Sequence, residues 1–431
     1  MPNIVNVEVS QQVAPAPSKL QQTGAFISQG ATTLAPGETA LLTQLSDLSS
    51  ILTGSVTIDT ITWSTGVVTV TTLDAHGIPS GDTIPVIISG CTPTGYNGTF
   101  AATYVSSTSF TYPLAINPGL ISTKGVVTLE DVQELVAMNN TFFAQGQNLA
   151  VYVLELGAGT PAQGVTELST YIANPTIKFY SYLLPKTWDT ETTMVALATQ
   201  YNGTTAQTYF YVTTTLETYT AWNGIKSVFA AVQSPSAPIT EFSLSAMFRV
   251  TLAYNPNASN LAHPLAFSYI YGVTPYVLTN TQQTELKADG VNWVGRGSEG
   301  GISNTIIFWG TFMDLSPFNY WYAVDWLAIN VEIALANAII NGSNLPTNPL
   351  YYNQNGINTL QKVAQATVNN GIAFGMILSP AAVEAVSFIT YVTQNPSDYA
   401  TGTYNGLSVT FVPARGFTSI TIYLTASNIP V

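Results

Sequence analysis

Two histidines, His76 and His263, are the only imidazoles in the 431-residue chain, so chemistry that needs a proton shuttle near neutral pH has to use one of them. Asp74 and Asp82 flank His76 but lie among turn residues, and neither histidine has a second His, Cys or carboxylate at metal-ligand spacing. His76 reads as a turn histidine. A Ser-His-Asp triad would need a nucleophile in a strained strand-to-helix turn, and no G-x-S-x-G stretch supplies one. Asp325 and Glu332 stand seven apart, on one helical face. Acid–base pairs face each other across a cleft, so these two read as a polar edge on a buried helix or as sites for a neighbour's Arg or Lys. Gly295-Arg296-Gly297-Ser298-Glu299-Gly300 spells G-x-G-x-x-G, whose phosphate chemistry requires a helix opening at the loop. Ile302 onward reads as strand, which makes this an inter-strand loop. Cys91 stands alone, without a disulfide or thiolate metal site to join. No catalytic, cofactor or metal residue is expected.

Composition narrows the classes further. Only 8% of residues are charged and the net charge is −13, a balance that opposes direct nucleic-acid binding and leaves a surface poor at repelling copies of itself. The longest apolar stretch, Trp326 to Ile340, is broken by Asn330, Glu332 and Asn337 and falls short of the roughly 20 apolar residues of a membrane span, so no membrane insertion is expected. Met1 to Ser10 has neither the basic start nor the apolar centre of a secretory signal. The expectation is a soluble protein of a reducing cytoplasm.

The elements follow from periodicity. Ala25 to Ser28 reads as a strand and Leu41 to Leu52 as a helix carrying Leu45, Leu48 and Leu52 on one face. From Gly54 to Val127 the chain turns rich in Thr, Ser, Val and Gly; strands at 67–71, 83–88, 99–105 and 109–112 alternate with tight turns, an all-β insertion. A helix is predicted from Thr128, with Asp131 completing a capping box. Strands at 149–156, 179–184 and 208–214 then alternate with helices at 163–173, 189–201 and 219–232, the signature of a mostly parallel sheet with helices on its faces. Towards the C-terminus, 302–309 reads as strand. A long apolar helix follows Ser316-Pro317 and ends at Gly342, and a second runs from Ile357 to Asn370. Strands at 373–378, 407–412 and 419–425 close the chain. The fold class is α/β, α+β overall: an alternating β/α core with an inserted all-β domain, a C-terminal domain of a small sheet covered by two helices, and extended terminal strand arms. The expected boundaries are 1–22 for an N-terminal arm, 23–53 with 128–273 for the core, 54–127 for the insertion, and 274–431 for the C-terminal domain with its arm at about 418–431.

Both ends carry patterned strands. Ile420, Ile422 and Leu424 alternate with Thr421, Tyr423 and Thr425; Val5, Val7 and Val9 alternate with Ile4, Asn6 and Glu8, before Ala14-Pro15-Ala16-Pro17 stiffens the exit. Terminal strands fray unless a sheet receives them, which suggests assembly by strand donation to other copies. The expected inter-subunit arm residues are Ile4, Val5, Val7, Val9, Ile420, Ile422 and Leu424, with Asp325 and Glu332 as lattice or tube contacts.

The order of elements resembles the tail sheath proteins of contractile bacteriophages. The resemblance runs through Leu286 to Asn292, Gly310 to Asp314, Asp325-Trp326-Leu327, Leu345-Pro346 and Gly356-Ile357. Asn3 to Val9 and Thr128 to Gly157 are similar to the family's N-terminal strand and α/β domain. The β insertion, with Val67 to Thr71, Gly95 to Thr99 and Ser109 to Tyr112, looks like a small module of phage tail and adhesin proteins. The resemblance implies a structural, non-enzymatic subunit of the virion tail, made in the host cytoplasm, that forms a homo-oligomer of stacked hexameric rings. Its implied partners are the tail tube, baseplate and tail terminator proteins; contraction would drive the tube through the host envelope for genome ejection. A receptor-binding or adhesin-like tail protein that holds cell-surface carbohydrate on the β insertion is the alternative, and a carbohydrate-active enzyme a third reading.

Overall fold

The computed structural model describes residues 19–146, 148–297, 304–347 and 349–418. In chain order, β1 (Gly24–Ser28) and β2 (Thr39–Leu42) precede six strands: β3 (Val56–Ser64), β4 (Val67–Thr72), β5 (Thr83–Ser89), β6 (Gly98–Ser106), β7 (Ser109–Pro113) and β8 (Val126–Leu129). These six close into a barrel in the order β3-β4-β7-β6-β5-β8, which leaves that sheet no unpaired edge. Thr65 and Gly66 at the β3–β4 turn both have positive φ, 46° and 86°, the backbone a two-residue hairpin turn requires. Phe110, Val68, Val70, Val86 and Ala102 fill the interior with no exposure. Thr128 lies in β8, and Leu129 rather than Thr128 precedes the next helix.

That helix, α1 (Glu130–Ala144), leads into β9 (Val151–Glu155), α2 (Pro161–Ala173), β10 (Ser181–Leu183), α3 (Thr192–Gln200), β11 (Tyr209–Thr214), β12 (Val228–Val232), α4 (Ser243–Leu252), α5 (Asn280–Ala288), β13 (Asn292–Arg296) and β14 (Thr305–Phe308). The eight-stranded sheet has the order β14-β13-β12-β11-β10-β1-β9-β2, with β9 through β13 and β1 parallel and the two edge strands antiparallel. Parallel strands need helices on both faces, and alternation along each strand feeds both. Ala25 and Ile27 of β1 join Val165, Leu168 and Met194 beneath α2 and α3. Phe26 points the other way, 5.4 Å from Phe142 of α1 and 6.1 Å from Phe248 of α4.

The chain divides into two compact units. Among described residues, 20–255, 263–318 and 415–418 form the larger, and 19, 256–262 and 319–414 the smaller. The smaller unit carries nearly all of α6 (Phe318–Ser343), with α7 (Gln354–Ala373), β15 (Ala382–Ala385), α8 (Phe388–Gln394), α9 (Pro396–Thr401) and β16 (Leu407–Thr410). Trp326 of α6 lies 5.7 Å from Phe374 at the end of α7, and α7 packs on the two-stranded β15–β16 sheet.

Several elements differ from the sequence expectation. Residues 41–52 form the end of β2 and a 3-10 turn, Leu45–Ser50, in place of a helix. Residues 219–232 form a 3-10 turn followed by β12. Gly342 lies inside α6, where its missing side chain admits Leu350, and does not end the helix. Gly375, at φ 73°, terminates α7 beyond Asn370. Residues 374–378 form no named strand; Ile377 makes one isolated bridge to Pro413. Nor is α6 buried throughout: Trp326 and Asn330 are buried, but Ile339 and Ile340 are about half exposed. By length and composition alone α6 would pass for a membrane span.

Candidate assembly interface

The small β15–β16 sheet has the arrangement most suited to receiving another strand. Its ladder pairs Ala382 with Thr410 and Glu384 with Ser408, and the bond from Val386 N–H to the Gly406 carbonyl, 2.9 Å, fixes its phase. In an antiparallel pair the residues between hydrogen-bonded positions turn their N–H and C=O outward. On β15 these are Val383 and Ala385; on β16 they are Leu407 and Val409. An isolated two-stranded sheet is marginal in water, and this one leans on α7 from one side. Apolar side chains stay exposed around it: Leu378 at 52%, Val412 at 59% and Ile389 at 76%.

The arm residues Ile4, Val5, Val7, Val9, Ile420, Ile422 and Leu424 lie outside the described residues. Asp325 and Glu332 share α6 but not an environment: Asp325 is buried and Glu332 is exposed.

The residues weighed for chemistry are engaged structurally. His76 is buried in the barrel. Its Nε2 lies 2.7 Å from the Ser106 carbonyl, its Nδ1 accepts from the Ile78 N–H at 3.1 Å, and Phe110 and Tyr104 pack edge-on to the ring. The His263 ring packs 5.1 Å from Tyr254, and its backbone N–H and carbonyl both bond the Tyr254 hydroxyl. Gly295 and Arg296, among the described residues of that glycine motif, belong to strand β13, which pairs antiparallel with β14. Residues 157–160 do join a parallel strand to a helix, the setting of a phosphate loop, but the amides at both ends of the loop, Gly157 and Thr160, are already used. Gly157 N–H donates to Glu155 at 2.7 Å, and Thr160 and Gln163 cap each other. Among the described residues no group of three or more His, Cys, Asp or Glu stands close enough to hold a metal ion.

One titratable cluster escaped sequence reasoning because it forms only in three dimensions. Glu130, Asp131 and Glu134 begin α1, and Glu134 accepts the Lys186 backbone N–H at 2.8 Å. Desolvation pushes Glu134 up from 4.5 to about 7, raises Glu130 and Asp131, and pulls Lys186 down. The Lys186 ammonium rests 4.7 Å over the Phe242 ring, with the Glu241 charge acting on it from the α4 side. A carboxyl held above its unfolded value stabilises the fold below about pH 4.5, and that contribution is lost as pH rises through about 7. Glu134→Gln keeps the acceptor and removes the charge. Its unfolding free energy from denaturant titration is therefore expected to exceed wild type at pH 8, by at most about 3 kcal/mol, and to approach it at pH 5. Equal shifts at both pH values would rule out this group as the source.

No family model and no curated protein matches the chain. Solved structures do. A chain of the anti-feeding prophage baseplate, 6-fold symmetrised, aligns with a TM-score of 0.54 at 14% identity, over 99% of this chain and 100% of that one. A chain of the same baseplate in its contracted state aligns at 0.52 and 13%, over 99% and 98%. The chain shares the fold of these two baseplate chains. The likeness runs through both compact units and through the barrel, and both neighbours are components of a larger assembly. The Listeria innocua sheath tail protein aligns more loosely, at 0.43 and 10% identity, over 84% of this chain and 88% of that one.

Proposed function

We propose that this chain is the structural sheath subunit of a contractile phage tail. It polymerises as stacked hexameric rings around an inner tube and contracts to drive that tube through the host envelope for genome delivery, with no enzymatic step. The observation that carries this reading is the end-to-end fold likeness to a chain of a baseplate that was 6-fold symmetrised and that has a contracted state. Its partners are further copies of itself, the tube protein, and the baseplate and terminator proteins at the two ends. It is assembled in the host cytoplasm and resides in the virion tail.

Strand donation fits the mechanical task. Burying three or four Val, Ile or Leu side chains contributes about 5 to 10 kcal/mol, and each backbone bond adds about 1. Ordering each donated residue costs about 1 to 2 kcal/mol. A single link is modest, so the lattice is held by several links per subunit acting at high effective concentration. Flexible tethers let the bodies rotate while the links persist. Electron microscopy of the purified chain tests the function: hollow helical tubes in a long narrow and a short wide form are expected, and compact monomers or trimers would refute it. Removing residues 419–431 is expected to leave melting unchanged and to cut polymer mass by about tenfold or more. Normal polymerisation of that truncation would refute donation by this end.

A further inference from the structure

We propose that the cavity between the barrel and the carboxyl edge of the eight-stranded sheet binds a neutral, hydroxyl-rich ring the size of a single hexose. This site is independent of the assembly reading. Among the parallel strands, β1 sits between β9 and β10, and β11 and β12 follow β10, so the chain order reverses between β1 and β10. In doubly wound sheets ligands bind beyond the carboxyl ends of the strands at such a reversal. That crevice is plugged here. Trp188, just past β10, is fully buried and donates from Nε1 to Gln29 Oε1 at 3.0 Å, while Gln29 Nε2 donates to the Thr160 carbonyl. Gly164 leaves room for both, since a Cβ there would lie 2.5 Å from the Trp188 ring. The open space lies one strand over, at the end of β9. It is a cavity of about 390 Å³ bounded by barrel residues 79–82, by 156–158 and by α2. Small-molecule sites have this size and concentrate at such domain seams.

The lining decides the charge of the ligand. Asp82 of the barrel and Glu167 of α2 both line the cavity, and neither carboxylate has a hydrogen bond or ion pair among the described residues. Two unpaired carboxylates repel an anion, and among the described lining residues there is no Lys, Arg or His to hold a phosphate. Other lining groups oppose a cation. The positive end of the α2 dipole lies here, and just before it the N–H groups of Ala158 and Gly159 meet no acceptor among the described residues. Gly159 is buried, where an N–H without a partner is rare. Free acceptors and free donors side by side suit groups that both donate and accept, and hydroxyls are such groups. The Ser80 hydroxyl adds a further partner. Leu156, Pro36 and Pro79 present carbon surface to match the C–H face of a pyranose ring. An acyclic polyol has the same hydroxyls but loses more rotational freedom on binding, which favours the ring.

Saturation-transfer NMR and thermal melting of the full-length chain test this, with D-glucose, D-galactose and N-acetyl-D-glucosamine as probes and glycerol as the acyclic control. At least one sugar is expected to bind with a dissociation constant of about 1 mM and to raise the melting temperature, while glycerol does neither. Ser80→Trp fills the cavity from an exposed barrel turn; it is expected to melt as wild type and to abolish binding. Asp82→Asn and Glu167→Gln remove charges that hold nothing in the fold. Each is expected to weaken binding about tenfold and to leave the melting of the free protein unchanged. Bound sugar is also expected to slow amide exchange at Ala158 and Gly159, a reading that needs no substitution. Undiminished binding by a folded S80W chain, by both D82N and E167Q, or without that protection would overturn the location. Equal binding of glycerol would overturn the ring, and silence of all three sugars up to about 50 mM the ligand class. Stabilisation by calcium chloride alone, abolished by D82N and E167Q, would make this a cation site and refute the neutral ligand.

Discussion

Replacing Glu155 by alanine is expected to cost about 3 to 5 kcal/mol of unfolding free energy, a large share of the roughly 5 to 15 available to a folded chain. The carboxylate is 1% exposed at the end of β9 and gathers five donors. Oε1 accepts Gly30 N–H at 2.6 Å and Gly157 N–H at 2.7 Å. Oε2 accepts the Ser28 hydroxyl at 2.6 Å, the Thr32 hydroxyl at 2.7 Å and the Thr32 N–H at 3.1 Å. Alanine strands all of them. The turn so held is the one that carries the barrel's entry, because Thr53 N–H bonds the Ala31 carbonyl and Thr32 pairs with Leu52. Glu155→Gln should lose less, about 1 to 3 kcal/mol, since its amide can face the two hydroxyls, which reorient to accept, and only the Thr32 N–H is left unmet. Denaturant unfolding measures both. An alanine variant within about 0.5 kcal/mol of wild type would show that the cradle does not hold the turn.

The parts of the fold legible in sequence are those where burial leaves a regular period. The helix of α2 and the strands β9, β10 and β11 emerge within a few residues of their expected positions, because turns or caps separate them cleanly. β3 does not emerge, and its irregularity explains why. A bulge between Ile58 and Thr60 shifts the pairing, so the buried residues Ile58 and Ile61 fall three apart and break the two-residue alternation. β12, Val-Phe-Ala-Ala-Val, is buried at every position and has no alternation to read; following the Tyr219 turn it mimics a helix. At Leu41 to Leu52, leucines at helical spacing concealed a strand followed by a turn in which Asp47 collects the Thr43 and Gln44 amides. At the small sheet, Gln365 accepts the Val383 N–H and Gln361 donates to the Val383 carbonyl, a pairing of α7 with β15 that local spacing does not carry.

Asn292→Ala is the second substitution expected to exceed about 3 kcal/mol, for a reason different from cavity formation. Asn292 is fully buried at the start of β13 and serves as a hub for the chain crossing beyond β14. Its Nδ2 donates to the Ala230 and Thr311 carbonyls at 2.9 and 2.8 Å, and its Oδ1 accepts the N–H groups of Trp309, Gly310 and Thr311 at 3.2, 2.8 and 2.9 Å. No other side-chain chemistry offers two donors and a multiple acceptor in that volume. Aspartate has the same shape and is the sharper test. It would keep the three N–H bonds but turn an anionic oxygen toward two carbonyls in a water-free site, so it must either unfold the crossing or take up a proton to donate to one of them. Asn292→Asp is therefore expected to be destabilised at pH 8 and partly restored at pH 5, while Asn292→Ala is equally weak at both. A pH-independent aspartate variant would mean that water reaches this hub, contrary to its complete burial.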